Sequence, residues 1–452
     1  MARTTHLFQQ SPRDHVLMIT NHGIHQWEVK PGLPDTGGQN VFVNRFTAEL
    51  AQQGFKITIV NRGGYEHPIT HEMRRGFHYR GDFQRILYLQ DGLNEFVRKE
   101  DMADRLPHLT DALDEALALE DASVDLIISH YWDGAALGVR YNRRRPTSAP
   151  HIWVPHSLGS VKKRNVDPEQ WDDLRIDERI TIEQELVAEV DGVAATSSTI
   201  RESLREDYNY VGPDLFLPPC VDTERYHPRE IDATDPIWAF LGDLTGLSAE
   251  EVRRRKIITE ISRTDTTKRK DVLIEAFARV HAEVPESLLV VAIDERQPLA
   301  DKLLALIRKH GLEHDVVTVG SIPERLPKVY AITDVYCTPS VMEGFGMSAQ
   351  EAAATGVPVV TSHLVPFATE YLLGDQIESV DVTGSDHALR QGEGAIVVQA
   401  DDVAGFTAAL TRLLTDQTLS RKIGSRALDI TVPYFTWAKQ VPAFLEDIES
   451  AG

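Results

Sequence analysis

Residues 339–358 read PSVMEGFGMSAQEAAATGVP, with Glu343 and Glu351 eight positions apart around a Gly-Phe-Gly turn. Glu343 leaves a strand on a loop, Gly344 and Gly346 let backbone amides approach a ligand, and a helix is predicted over 348–355 before Gly356 stops it. Free amides and the positive end of a helix favour phosphate, and carboxylates accept hydrogen bonds from sugar hydroxyls. The rival reading is an ordinary corner of an α/β fold, with Glu343 solvated and Glu351 on an exposed helix face.

Outward from this unit, short apolar runs alternate with amphipathic segments. Strands are predicted over 15–20, 56–60, 85–89, 125–129, 151–155 and 192–195, then over 256–262, 287–293, 316–319, 335–338, 357–361 and 394–398. Helical patterns such as 39–53 and 102–119 fall between them. A βαβ succession of this kind gives mostly parallel sheets, so the fold class is α/β with two doubly wound, Rossmann-like domains. Such domains would face each other across a cleft and gather ligands at the carboxyl ends of their strands. Prolines and polar residues interrupt both periods in LPPCVDTERYHPR, 217–229, which places the boundary there. Residues 242–255 read as an insertion or linking helix.

The 452-residue chain is 42% hydrophobic and 26% charged, enough apolar material for a core of ordinary size. Its formal net charge of −22 argues against nucleic acid and against an anionic membrane surface. An acidic ligand must then be held by local basic groups. Cys220 and Cys337 stand far apart without metal-ligand spacing, and no apolar run reaches signal-peptide or membrane-spanning length. A reducing, cytoplasmic setting without a metal centre is the expectation.

The candidate chemistry lies on loops after strands. ISRTDTTKRKDVLIEAF, 261–277, offers Arg263 as a bidentate fork and Lys268 as a mobile charge, suited to a diphosphate. A solvated basic loop is the alternative there. PDTGGQN, 34–40, is a glycine turn without the third glycine of a dinucleotide fingerprint. Its amides and Gln39 could touch a sugar or phosphate, or the segment could be a plain strand-to-helix turn. His130 in ISHYWDG and His156 in VPHSLG end strands, where a neutral imidazole can hydrogen-bond a sugar hydroxyl. Lys162 and Arg179 are candidates for a second anion, with surface pairing to carboxylates as their rival role.

Together EGFGMSAQE, SRTDTTK, PDTGGQN and HSLG resemble the retaining family 4 nucleotide-sugar glycosyltransferases of GT-B fold, in their sucrose-phosphate synthase-like branch, over nearly the whole chain. The resemblance implies an acceptor-binding domain over 1–225, a nucleotide-sugar-binding domain over 226–434 and a C-terminal helix, about 435–452, crossing back to the first. It implies that Arg263 and Lys268 hold the donor diphosphate and Glu351 the ribose. Glu343 and the amides of Gly344, Phe345, Gly346 and Met347 hold the donor sugar. His156 lies against the reacting sugar, Gly37, Gly38 and Gln39 lie near the acceptor and the leaving group, and Lys99, Lys162 and Arg179 grip an acceptor phosphate beside His130. The implied reaction moves a hexosyl unit, glucose first among candidates, from a nucleoside-diphosphate sugar such as UDP-glucose to fructose 6-phosphate, giving sucrose 6-phosphate. No cofactor or metal is required, with Mg²⁺ at most a stimulant, and no nucleic acid or membrane partner is implied. Cys220 in PPCVD and the MSAQEA helix depart from the sucrose-forming pattern, leaving open another donor or acceptor: mannosylfructose-phosphate as product, free fructose, a polyol or a sugar acid. A GT-B-like sugar-nucleotide epimerase is the rival outside the class.

Overall fold

The apolar runs form the interiors of two eight-stranded sheets among the residues, 7–30 and 33–451, that the computed structural model describes. The first contains β1 (His15–Ile19), β2 (Lys56–Arg62), β3 (Gly76–Arg80), β4 (Gln84–Leu89), β5 (Leu126–His130), β6 (His151–Val154), β7 (Gly192–Ala195) and β8 (Asp214–Phe216). Its order is β3-β4-β2-β1-β5-β6-β7-β8, parallel except for the β3/β4 pair. The second contains β9 (Lys256–Glu260), β10 (Ser287–Ala292), β11 (Val316–Val319), β12 (Val335–Thr338), β13 (Val359–Ser362), β14 (Glu378–Val380), β15 (Leu389–Gln391) and β16 (Ala395–Val398). Its order is β11-β10-β9-β12-β13-β16-β15-β14, with β14 and β15 antiparallel additions. Inner strands such as β1, HVLMI, are buried at every residue, as a parallel strand covered on both faces must be.

Strand order reverses between β1 and β5 in one sheet and between β9 and β12 in the other, and each reversal opens a crevice at the carboxyl ends of those strands. The four strands that the sequence pattern did not predict, β3, β8, β14 and β15, lie at or next to sheet edges. Three of them are only three residues long, and β3 is half exposed, so none carries a buried apolar run.

Two helical expectations are corrected. The 102–119 pattern splits into a 3₁₀ segment, Lys99–Arg105, and an α-helix, Leu106–Ala118, with Pro107 in its first turn. The single linking helix over 242–255 is two helices, Pro236–Thr245 and Ala249–Arg253. Gly246 at φ 76° ends the first, and Ser248 with Glu251 forms a capping box for the second. Ile237, Leu241 and Val252 pack with Ile257 and Val290, making this segment core rather than linker.

The chain forms two compact units: residues through Pro219 together with the segment from Trp437 onward, and Cys220–Thr436. Residues 1–6, 31–32 and 452 of the expected domains lie outside the described residues. The helix Trp437–Ala451 packs in the first unit on the helix Gly38–Gln52. Trp437 meets Phe42 edge-on at 4.9 Å and stacks on Phe46 at 6.0 Å, while Phe444 meets Phe46 at 5.9 Å. Each pair contributes about 0.5–1.5 kcal/mol beyond burial, which ties the returning chain to this unit. No helix among the described residues is long and apolar enough to cross a membrane.

Candidate active site

In the second unit, β9 ends at Glu260 and the chain turns through Arg263 into a 3₁₀ segment, Thr266–Lys268. The Asp265 carboxylate accepts from the Thr267 amide at 3.0 Å, fixing this turn. Lys268 Nζ then reaches Glu343 Oε1 at 2.5 Å. Two further bonds clamp the loops together: the Val341 amide donates to Thr267 O at 2.8 Å, and Ser340 Oγ to the same oxygen at 3.2 Å. Arg263, expected as the partner of Lys268, is instead 79% exposed, with Asp265 at 3.6 Å. A long side chain in solvent remains free to swing onto a ligand.

The glycine turn has a steric cause. Gly346 sits at φ 110°, and a Cβ there would stand 2.6 Å from Val365 Cγ1. The helix begins one residue earlier than predicted and spans Met347–Ala354. Its leading amides lack acceptors within the helix, as at any helix start, and are available to an anion. Of the proposed sugar-binding stretch Gly344 to Met347, Phe345 is corrected in one respect. Its ring is buried against Phe367 at 5.4 Å and Phe435 at 5.7 Å, so only its backbone can serve a ligand.

Glu351 has a different environment from Glu343. It is part-buried, Tyr330 donates to it at 3.4 Å, and Tyr226 hydrogen-bonds it as well. Burial pushes its carboxyl up to about 7 against the opposing pull of Arg225. Neither tyrosine nor Arg225 was singled out from sequence, because they come from other elements than the glutamate motif. Below Lys268 a fully buried pair, Lys270 with Glu260, holds the start of the helix Lys270–Glu283 to the end of β9.

In the first unit a small pocket, open to solvent, is lined by Lys99, Lys162, Arg175 and Arg179, with Glu100, Glu178, Tyr131 and Trp132. Three of these cations are the ones the resemblance implied; Arg175 was missed. Four cations and two carboxylates line the pocket, and three of the cations also pair with carboxylates: Lys99 with Asp35, Arg175 with Glu178, Asp101 and Asp104, and Arg179 with Glu183. Arg179 is held rigidly: Glu183 accepts from its Nε at 2.7 Å, and Ser157 O from its Nη2 at 2.6 Å. Glu183, fully buried, also accepts from the Gly159 amide at 2.8 Å and the Tyr208 hydroxyl at 2.5 Å. Burial opposes the Arg179 charge, and Glu183 outweighs it and raises the pKa further. Surface pairing is therefore excluded for Arg179.

Lys99 opens the 3₁₀ segment Lys99–Arg105, and a buried network shapes the chain leading to it. Arg62 grips Asp91 with two bonds, at 2.8 and 3.0 Å, and Arg105 adds a third at 2.7 Å. Lys99 pairs with Asp35 of the PDTGGQN turn, and its backbone amide donates to the same carboxylate at 3.1 Å. Burial disfavours the Lys99 ammonium, but Asp35 outweighs it and lifts the pKa. Among the described residues the Lys162 ammonium has one ion-pair partner, Glu100, at 3.7 Å. Burial, and then Arg179, lower its pKa to about 8.

At the ends of β5 and β6, His130 Nδ1 and His156 Nε2 share a hydrogen bond of 2.8 Å, and the rings stack at 5.1 Å. Burial drives the His156 pKa down to about 3 and that of His130 well below its ordinary value, so both rings are neutral. Tyr131 at φ 65° and His156 at φ 56° both follow strand ends in the left-handed region, where non-glycine residues are uncommon and mark functional corners. Gly38 starts the helix Gly38–Gln52; the Gly37 amide donates to Asn40 Oδ1 at 2.9 Å, and Gln39 Nε2 to Thr20 Oγ1 at 3.1 Å. The structure thus gathers Lys99, Lys162 and Arg179 in one pocket, His130 and His156 in one pair, and Lys268 and Glu343 in another. Gln39 and Glu351 have other partners.

Residues 36–225 match the family described as Glycosyltransferase Family 4, and residues 248–429 match Glycosyl transferases group 1. The mannosylfructose-phosphate synthase of Agrobacterium fabrum is 28% identical over 405 residues, 84% of each chain. The D-inositol 3-phosphate glycosyltransferase of Nocardia farcinica is 28% identical over 431 residues, 93% of this chain and 86% of that one. Among solved structures, a sucrose-phosphate synthase from Thermosynechococcus elongatus superposes with a TM-score of 0.76 at 22% identity, covering 97% of this chain and all of the other. An Anabaena protein crystallised with UDP and glucose superposes with a TM-score of 0.66 at 15% identity, over 97% of this chain and all of the other. The two sheets and their helices are the GT-B fold.

Proposed function

This chain belongs to the glycosyltransferases, its first part to family 4 and its second to group 1, and we propose that it moves a hexosyl unit with retention from a nucleoside-diphosphate sugar to a small phosphorylated acceptor. Glucose is the proposed hexose, UDP-glucose the donor and fructose 6-phosphate the first acceptor, giving sucrose 6-phosphate. The observation that carries the acceptor class is the convergence of Lys99, Lys162, Arg175 and Arg179 on one pocket, with Lys162 only loosely paired to Glu100 at 3.7 Å, within a chain of net charge −22. A second reading, an inositol phosphate as acceptor, is supported by the relative from Nocardia farcinica, whose name carries that substrate.

The proposed chemistry follows from the residues of each unit. Departure of a nucleoside diphosphate builds negative charge on the diphosphate and oxocarbenium-like charge on the sugar. Lys268 and the amides of Gly344 to Met347 are placed before the reaction, so they stabilise the first charge as it grows without reorganising. Glu343 orients Lys268 and accepts from donor-sugar hydroxyls; Glu351 serves the ribose. His156, being neutral, can hydrogen-bond a sugar hydroxyl without repelling the positive sugar. In retention from the leaving-group face, the departing phosphate takes the acceptor's proton, and no protein base is named. The nucleotide sugar is a substrate, and a chelator should leave most of the rate.

The test is incubation with UDP-, ADP- and GDP-sugars against fructose, fructose 6-phosphate, inositol 3-phosphate, glycerate and glycerol, following nucleoside diphosphate release and product mass. A phosphorylated disaccharide or hexosyl-inositol phosphate supports the reading. Turnover of donor without acceptor to an isomeric nucleotide sugar would make the protein an epimerase instead, and binding without turnover a sensor.

A further inference from the structure

Outside the groups already used, the first unit carries a buried histidine–aspartate pair beside the basic pocket. His22 follows β1, and its Nδ1 lies 2.9 Å from Asp133 Oδ1. The His22 backbone amide donates to the other oxygen, Asp133 Oδ2, at 3.1 Å. Asn21 Nδ2 donates to the Asp133 carbonyl at 2.9 Å. Asp133 is fully buried in the first turn of the helix Tyr131–Asn142, and His22 is 6% exposed. That helix lies tight on β1 because its next residue is glycine: a Cβ on Gly134 would stand 2.8 Å from Ile19 O. The pair is therefore set by backbone packing as well as by its own bonds.

An ionised carboxylate only accepts, so Asp133 requires the His22 proton on Nδ1. In that neutral tautomer Nε2 carries a lone pair. Among the described residues nothing hydrogen-bonds Nε2, and it is absent from the buried nitrogens left without a partner, so the small exposure of His22 includes this atom. The surroundings say what reaches it. Tyr131 packs edge-on against the His22 ring at 4.7 Å and takes a hydrogen bond from Arg179 through its hydroxyl. Asp35, the partner of Lys99, and His156 both lie within electrostatic reach of His22. His22 thus stands between the phosphate-gripping cations and the histidine proposed to face the sugar.

We infer that His22 Nε2 accepts a hydrogen bond from a hydroxyl of the phosphorylated acceptor, with Asp133 as the positioning residue that fixes its tautomer. The contact makes His22 a specificity-determining residue, selecting acceptors that carry a hydroxyl a few ångströms from the phosphate. It accepts the hydrogen bond and keeps no proton, so it is compatible with transfer of that proton to the leaving phosphate. The inference rests on the proposed acceptor class.

The test compares His22→Asn, which keeps a donor for Asp133 and has nothing at Nε2, with His22→Gln, whose amide reaches the Nε2 position. Both are assayed with UDP-glucose and either fructose 6-phosphate or inositol 3-phosphate, whichever the parent uses. His22→Asn should raise the acceptor KM about tenfold or more and leave the donor KM and thermal midpoint near the parent's, while His22→Gln restores part of the loss. Asp133→Asn, which favours the opposite tautomer, should act in the same direction. Monodeoxy acceptors give the readout that a packing role would not move. One deoxy position should weaken the parent and leave His22→Asn unaffected, the signature of a direct contact. An acceptor KM within twofold of the parent in His22→Asn, or no deoxy position coupled to it, overturns the inference while parental activity keeps the proposed function. Absence of transfer by the parent to every phosphorylated acceptor would overturn both.

Discussion

Lys268, in the 3₁₀ segment Thr266–Lys268, and Lys162, in the helix Gly159–Asn165, are both partly sequestered ammonium groups, yet their surroundings are opposite. Lys268 is met at 2.5 Å by Glu343, on a loop clamped to its own. Lys162 has one carboxylate at 3.7 Å and shares a pocket with three other cations. A compensated charge needs no ligand to be stable and is oriented in advance, which suits stabilisation of charge that appears only during reaction. An under-compensated ammonium such as Lys162, with Arg179 and Lys99 nearby, is itself a binding determinant, because an anion relieves that repulsion. On the proposed function, the second unit serves a transition state and the first a ground-state anion.

The hardest blow to that contrast is removal of Arg179, the anchor of the under-compensated side. Arg179→Leu leaves Glu183 buried and unpaired, and chemical denaturation should show about 3–5 kcal/mol lost, with transfer to phosphorylated acceptors reduced to background. Arg179→Lys should not restore it, because the fork that engages Glu183 and Ser157 together is gone. Next in size, Lys268→Ala should lower kcat about 10²–10³-fold in single-turnover assays, with acceptor KM near the parent's. An effect on KM alone would make Lys268 a ground-state group like Lys162.

Lys162→Met should raise the acceptor KM about tenfold, the worth of one exposed charge-assisted bond. The pH dependence sharpens this. With a pKa of about 8, the Lys162 ammonium prevails below that pH and is lost above it, while a phosphate monoester, with second pKa near 6, stays dianionic. Acceptor KM should therefore rise from pH 7 to 9 in the parent and stay flat in Lys162→Met. The smallest effect belongs to Glu351. Its carboxyl, at about 7, is charged above that pH, so donor KM should fall severalfold from pH 6 to 8 and lose this slope in Glu351→Gln.

Much of the fold was legible because parallel strands bury both faces and so appear as unbroken apolar runs, as in β1 and β10. Edge strands lack that signature: β14, ESV, is mostly exposed and pairs only through its backbone. The glutamate motif and the basic loop were visible as short local patterns. The pairing of Lys268 with Glu343, across 75 positions, was not, since periodicity carries no information about which loops meet. Lys162 and Arg179 were visible as candidates for a second anion and Lys99 was added through family likeness, while Arg175 and Glu100 escaped because charged residues flank every loop of so acidic a chain. His22 had one sequence signal, NHGIH immediately after a buried strand, whose meaning depended on Asp133 arriving from a helix 111 positions away.

Recognition of an acceptor phosphate by the first unit, as proposed, is tested most directly by kcat/KM for the acceptor against the same molecule without its phosphate, at saturating nucleotide sugar and pH 7. The expected preference is at least about 10²-fold for the phosphorylated form, falling toward unity in Lys162→Met combined with Lys99→Met. Equal rates for the two forms in the parent would contradict it.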